Sequence, residues 1–177
     1  STLTVAVAEI GDKTQLLAII LAATFRRPWT IIAGIFVATL VNHAAAGAFG
    51  GWVAQALGPD VLRWVIGISF IAMAVWMMIP DKIEDDAARN TRGLGVFGTT
   101  VVAFFLAEMG DKTQIATVAL AARYAEVVQV ILGTTLGMMV ANVPAALLGD
   151  RIAHRMPVRV VHCIAAGIFA ALGVATL

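Results

Sequence analysis

Charge is scarce in this chain. Of its 177 residues 13% are charged and 60% apolar, with a mean hydropathy of +0.92. A soluble domain carries about 25% charged residues. So few charges cannot cover a particle of this size, so lipid must replace water around much of it. An ordinary cytosolic enzyme is excluded on that ground. A basic excess is missing too. Twelve Lys and Arg stand against 11 Asp and Glu, a net charge of +1, which excludes a nucleic-acid-binding module. Cysteine is nearly absent. The lone Cys163 forbids an internal disulfide and a thiolate metal cage. Set in an apolar run, it is expected to be a small buried filler.

What the chain has in bulk is uncharged sequence. Residues 29–59, 64–80, 127–149 and 160–177 hold no Asp, Glu, Lys or Arg. Residues 2–25 and 93–122 are apolar apart from one polar cluster each, Glu9 to Gln15 and Glu108 to Gln114. A spanning helix needs about 20 residues. The expected fold is therefore an all-α integral membrane protein with six transmembrane helices near 2–25, 29–57, 62–80, 95–122, 127–149 and 158–177. The first segment does not read as a cleavable signal, because it lacks a basic leader and its charges recur in a sister segment.

Orientation follows from the basic loop residues. The side reached after the first helix holds Arg26, Arg27, Lys82, Arg89, Arg92, Arg151, Arg155 and Arg159, and the other side only Arg63 and Arg123. This places the first side in the cytoplasm and both termini outside. Residues 81–94, rich in charge, are expected to be a cytoplasmic linker between the halves 1–80 and 95–177.

The two halves repeat each other at an offset of 99. Ala8 to Ala23 reads AEIGDKTQLLAIILAA and Ala107 to Ala122 reads AEMGDKTQIATVALAA, identical at ten of 16 positions. Weaker echoes pair Gly34 with Gly133, Gly50 with Gly149 and Phe70 with Phe169. The repeating unit is three helices. An odd number makes the second unit enter the membrane from the opposite side. That predicts two inverted three-helix repeats, a design that places a transporter's substrate site near the midplane between them.

Each cluster spaces its Glu and Asp by three residues, with Lys four after the Glu. On a continuous helix Glu9, Asp12 and Lys13 project from one face, and so do Glu108, Asp111 and Lys112. Ionisable groups inside a span are costly and must meet each other or a wet cavity. One reading is structural: ion pairs Glu9–Lys13 and Glu108–Lys112 that lock the helices, which leaves Asp12 and Asp111 without assigned partners. The other is a cation site. Four carboxylates suit a hard divalent cation such as Mn²⁺, Ca²⁺ or Mg²⁺, and the lack of a Cys/His cluster argues against zinc or copper. Gly11 and Gly110 would permit close helix approach or local unwinding. Thr14, Thr113, Gln15 and Gln114 would add neutral oxygens. Four carboxylates and two ammoniums sum to −2, which one divalent cation or two protons would neutralise. Metal and protons would then exclude each other, the minimum condition for antiport.

These residues carry a resemblance. Two copies of Glu-x-Gly-Asp-Lys-Thr, Glu9 to Thr14 and Glu108 to Thr113, one per three-helix half, resemble the GDT-type cation/proton exchangers. The resemblance covers essentially the whole chain. It implies exchange of Mn²⁺, or of Ca²⁺, for protons, with Glu9, Asp12, Glu108 and Asp111 as the metal site. It also implies, for so short a form, a bacterial inner-membrane exporter of manganese, with metal ions as substrate and no cofactor.

Lesser candidates lie in the second and fifth segments. Asn42, His43 and Asn142 interrupt apolar runs, as helix-bridging groups or as further ligands. His43 could relay protons. Gly47, Gly50, Gly51, Gly133 and Gly137 read as packing faces, and Pro144 would kink its helix and free a carbonyl. Two rival functions remain at this level. An acidic channel shares the site chemistry. An intramembrane aspartyl protease also uses Gly-Asp, but it needs two distinct motifs where this chain has copies. No Walker motif is present to drive an ATP-dependent pump.

Overall fold

The computed structural model describes residues 1–78, 94–124, 126–148 and 158–177. Among these there are eight α-helices and no strand: α1 (Thr2–Glu9), α2 (Lys13–Phe25), α3 (Pro28–Ala56), α4 (Pro59–Trp76), α5 (Gly95–Glu108), α6 (Lys112–Tyr124), α7 (Val127–Leu148) and α8 (Val158–Val174). All six expected segments are helical. The first and fourth are each broken in two, at their polar clusters. Three helices are long and apolar enough to cross a membrane: α3, α4 and α7. The expected linker falls mostly on residues 79–93, outside those described, and so do several of the basic residues that set the orientation.

Local chemistry explains the ends. Proline cannot donate to a preceding turn but suits the first helical position, and Pro28 and Pro59 open α3 and α4. Between α2 and α3 the chain turns through Arg26 at a left-handed φ of 53°, and its N–H caps the carbonyl of Ala22. Pro144 lies inside an unbroken α7.

Helix α3 lies at the centre, against α5, α6 and α7. Its buried line runs Ile31, Ile35, Ala38, Asn42, Ala46 and Gly50, spaced as one helical face. Small residues let the neighbours close in. A Cβ on Gly34 would lie 2.7 Å from Thr100 Cβ, and one on Gly133 would collide with Ser1 Oγ. Both partners of the second contact sit 99 residues from those of the first. The same offset joins Phe70 and Phe169, which stack with ring centroids 6.2 Å apart where α4 meets α8. The expectation that these glycines are packing faces holds at Gly47, whose Cβ would strike Ile131, and at Gly137, whose Cβ would strike Thr2 O.

Among the described residues two apolar cores result. One joins α2, α3, α5 and α7 through residues such as Leu21, Ile35, Phe104 and Ala145. The other brings α4 and α8 onto α6 and the end of α1, through Phe70, Met73, Leu120 and Phe169. The α4–α8 pair therefore covers α1 and α6 and makes no more than marginal contact with α2 or α5. Cys163 departs from expectation. It is exposed, because its apolar run presents one face to α4 and α1 and the residue falls on the other.

Candidate functional site

The two broken helices share one local structure. Ile10 has φ −66° and ψ 117°, Gly11 has φ 83°, and the Asp12 N–H donates to Glu9 O at 3.1 Å. Met109 has φ −65° and ψ 118°, Gly110 has φ 77°, and the Asp111 N–H donates to Glu108 O at 3.1 Å. Both are type II turns, which require φ > 0 at the third residue and so favour glycine there. This explains the motif. Glu ends one helix, Gly makes the turn, and Asp starts the next. The reading of one continuous helical face through Glu, Asp and Lys is thus corrected, and the local unwinding expected at Gly11 and Gly110 is what the chain adopts.

The turns are braced from behind. Gln15 Oε1 accepts from Gly11 N–H at 3.0 Å, and Gln114 Oε1 accepts from Gly110 N–H at 2.7 Å. Gln15 Nε2 also donates to Ala141 O on α7. Both glutamine oxygens accept from the backbone of their own turn and hold its shape. The threonines orient the glutamates: Thr14 Oγ1 donates to Glu9 Oε2 at 2.7 Å, and Thr113 Oγ1 to Glu108 Oε2 at 3.2 Å.

The copies meet. Glu9, Asp12 and Asp111 are all buried, and each offers a carboxylate oxygen within 4.8 Å of the others. Glu108 is fully buried beside its own turn. The structural alternative, Glu9–Lys13 within one helix, is not what forms. Lys13 Nζ instead lies 3.1 Å from Asp111 Oδ1, across the two copies. The broken helix explains this, since it ends the i, i+4 geometry between Glu9 and Lys13. Lys112 is buried, at 2% exposure.

Several buried acceptor oxygens meet no donor: Glu9 Oε1, Glu108 Oε1, Asp111 Oδ2 and Asn142 Oδ1. Unmade hydrogen bonds at buried groups are costly. Oxygens left bare in this way suit a hard cation or protons. The asparagines differ. Asn42 Nδ2 donates to Phe105 O, in the last turn of α5, so this residue bridges helices. Asn142 Nδ2 is held by Met138 O and Sδ, and its bare Oδ1 is free to accept. His43 approaches Thr135 through Nδ1 at 3.4 Å, and its Nε2 is bare. Thr39 and Thr135 join this buried polar group without having been picked out from the sequence. The signal was available. Thr135 lies seven residues, two helical turns, before Asn142, and Thr39 lies three before Asn42, so each shares a face with an asparagine.

Comparison with known proteins gives the family. The profile of the family described as "Divalent cation/proton antiporter GDT1" matches residues 1–85 and 96–177. A protein of Vibrio cholerae serotype O1 named "Putative manganese exporter" is 51% identical over 177 residues, covering 99% of this chain and 88% of its own. A GDT1-like protein of Synechocystis is 26% identical over 199 residues, covering 94% of this chain and 89% of its own. "GDT1-like protein 3" of Oryza sativa subsp. indica is 28% identical over 197 residues, covering 96% and 69%. No solved structure matches. The matched family transports ions and is not one of enzymes, so the protease reading falls away. From the profile match along both halves and the doubled Glu-x-Gly-Asp-Lys-Thr turn, the chain belongs to the GDT1 family of divalent cation/proton antiporters.

Proposed function

We propose that this protein exports Mn²⁺ from a bacterial cytoplasm across the inner membrane in exchange for protons, with Ca²⁺ as a second accepted ion. The observation that carries the reading is the convergence of Glu9, Asp12 and Asp111, from both sequence copies, within 4.8 Å of one another in a buried place. Glu108 completes the acid set and Asn142 Oδ1 adds a neutral oxygen, a donor set that suits Mn²⁺ or Ca²⁺. Gln15 and Gln114 hold the turns, Thr14 and Thr113 aim the glutamates, and Asn42 ties α3 to α5. Lys13 and Lys112 balance the charge.

The architecture we infer is six spans in two inverted repeats, 1–80 and 95–177, with both termini outside and residues 81–94 as the cytoplasmic linker. Each broken helix counts as one span. The reciprocal contacts Gly34–Thr100 and Gly133–Ser1, and Phe70 against Phe169, support an axis relating the halves. Alternating access would come from the two halves rocking about the shared site.

Coupling rests on competition. A carboxylate oxygen that holds a proton cannot hold Mn²⁺, so metal binding must release protons. Purified protein in liposomes should move Mn²⁺ against its gradient when protons flow the other way. Metal flux indifferent to an imposed pH gradient would overturn the reading and leave a channel in its place.

A further inference from the structure

We propose that Lys13 is a tethered cation that competes with the transported metal for Asp111. This rests on the site assignment above and deepens it. Asp111 serves two partners. One of its oxygens belongs to the triangle with Glu9 and Asp12, and its Oδ1 lies 3.1 Å from the Lys13 ammonium. An ammonium beside a divalent ion in a low-dielectric place is strongly repelled. Metal in the triangle therefore displaces Lys13, and Lys13 on Asp111 weakens the hold on metal.

The side chain has somewhere to go. Lys13 is the first residue of α2 and its side chain is 28% exposed, whereas Asp111 is 3% exposed and Lys112 2%. A four-carbon stem that is not enclosed by the fold can carry the ammonium off Asp111 and back. Lys112, in the same position of the other copy, is enclosed. Both lysines sit in the first turn of a helix, where the dipole disfavours a cation. That placement is costly for a structural residue and useful for one that must leave. The pair thus makes metal release easier: as the ion departs, the lysine returns to Asp111.

The inference predicts the opposite sign from a structural ion pair. If Lys13 merely props up the fold, Lys13→Gln loosens the site and lowers metal affinity. As a competitor, its loss raises affinity. In the full chain reconstituted in nanodiscs, Mn²⁺ binding by Lys13→Gln should tighten roughly tenfold or more. Its exchange in liposomes should show a lower KM together with a lower kcat, because release becomes slow. Lys13→Arg, which keeps the charge, should restore both toward the wild type. Affinity of Lys13→Gln unchanged or reduced overturns the proposal. Wild-type protein that binds no Mn²⁺ overturns the site assignment as well, so the two failures are distinct. A measurement on the wild type guards against a variant that fails to fold. Labelling of Lys13 by a water-soluble amine reagent, read by mass spectrometry, should rise when Mn²⁺ is added. Labelling that stays constant or falls on adding Mn²⁺ overturns the proposal.

Discussion

The two Glu-x-Gly-Asp-Lys-Thr turns are alike in backbone and unlike in surroundings. Their dihedrals agree within a few degrees, and each has the same turn hydrogen bond and the same glutamine brace. Yet Ile10 is half-covered while its counterpart Met109 is 55% exposed. Val7 is half-covered and Leu106 is 54% exposed. Further along the relation reverses: Ile20 is 41% exposed and its counterpart Ala119 only 5%. The α4–α8 pair accounts for all three differences, since it packs on α1 and α6 and leaves α2 and α5 open. Local sequence makes the turns equal, and tertiary packing makes them different. An alternating carrier needs both: equal binding elements and a cover that favours one end at a time.

The largest effects should come from the acids. Glu9→Gln, Asp12→Asn, Glu108→Gln and Asp111→Asn should each reduce Mn²⁺ exchange in liposomes by at least about a hundredfold, since each removes charge from a site that must bind a divalent ion out of water. Binding should separate them. Glu108 lies outside the triangle of close oxygens. Glu108→Gln should therefore retain more equilibrium Mn²⁺ affinity than Glu9→Gln. Equal loss of binding in both would mean that the copies contribute alike and that the triangle has no special standing.

The turn glycines come next. At φ 83° and 77° an alanine is strained by about 1–2 kcal/mol. A Cβ at Gly110 meets nothing within 4 Å, so there the penalty is backbone strain alone. Gly110→Ala should lower exchange about tenfold by shifting the carboxylates that flank the turn. Gly110→Asn should be milder, because asparagine tolerates the left-handed region. An alanine variant as active as the wild type would show that the turn can reshape without cost. The threonines should differ by degree. Thr14→Val breaks a 2.7 Å bond to Glu9, and Thr113→Val a 3.2 Å bond to Glu108. Exchange assays should show the larger loss, several-fold, for Thr14→Val.

Much of this was legible in the sequence, and for a physical reason. Apolar runs of spanning length must be helical to satisfy their backbone, so all six helical segments were found. The doubled motif named the acids. What stayed hidden depends on dihedrals and on distant partners. Glu9, Asp12 and Lys13 fit a continuous helix as well as a turn, and only the φ of Gly11 decides between them. That choice sends Lys13 to Asp111 rather than to Glu9. Gln15 and Gln114 read only as added oxygens, and the turn they brace shows only in the backbone. Cys163 lies in an apolar run, and no periodicity of that run said which face met α4. The unequal cover over two nearly identical turns could not be read from a repeat at all, since a repeat predicts equality.

The smallest effect tests that cover most directly. Positions 20 and 119 correspond, but Ile20 stands open on α2 while Ala119 packs in the core formed by Ile66, Phe70 and Met73 of α4. A larger side chain at 119 must push α4 away. Ala119→Ile should destabilise by about 1–3 kcal/mol, as overpacked cores do. In a chain of this size each kcal/mol lowers the melting temperature by roughly 2–4 °C. Ile20→Ala removes a side chain that is 41% exposed and belongs to neither apolar core, and should shift it by less than about 1 °C. The contrast depends on α4 staying against α6. If α4 spends comparable time over α2, burial at 20 and 119 averages out. Ile20→Ala would then cost as much as Ala119→Ile, and the inequality between the two turns would be a property of one resting state rather than of the fold.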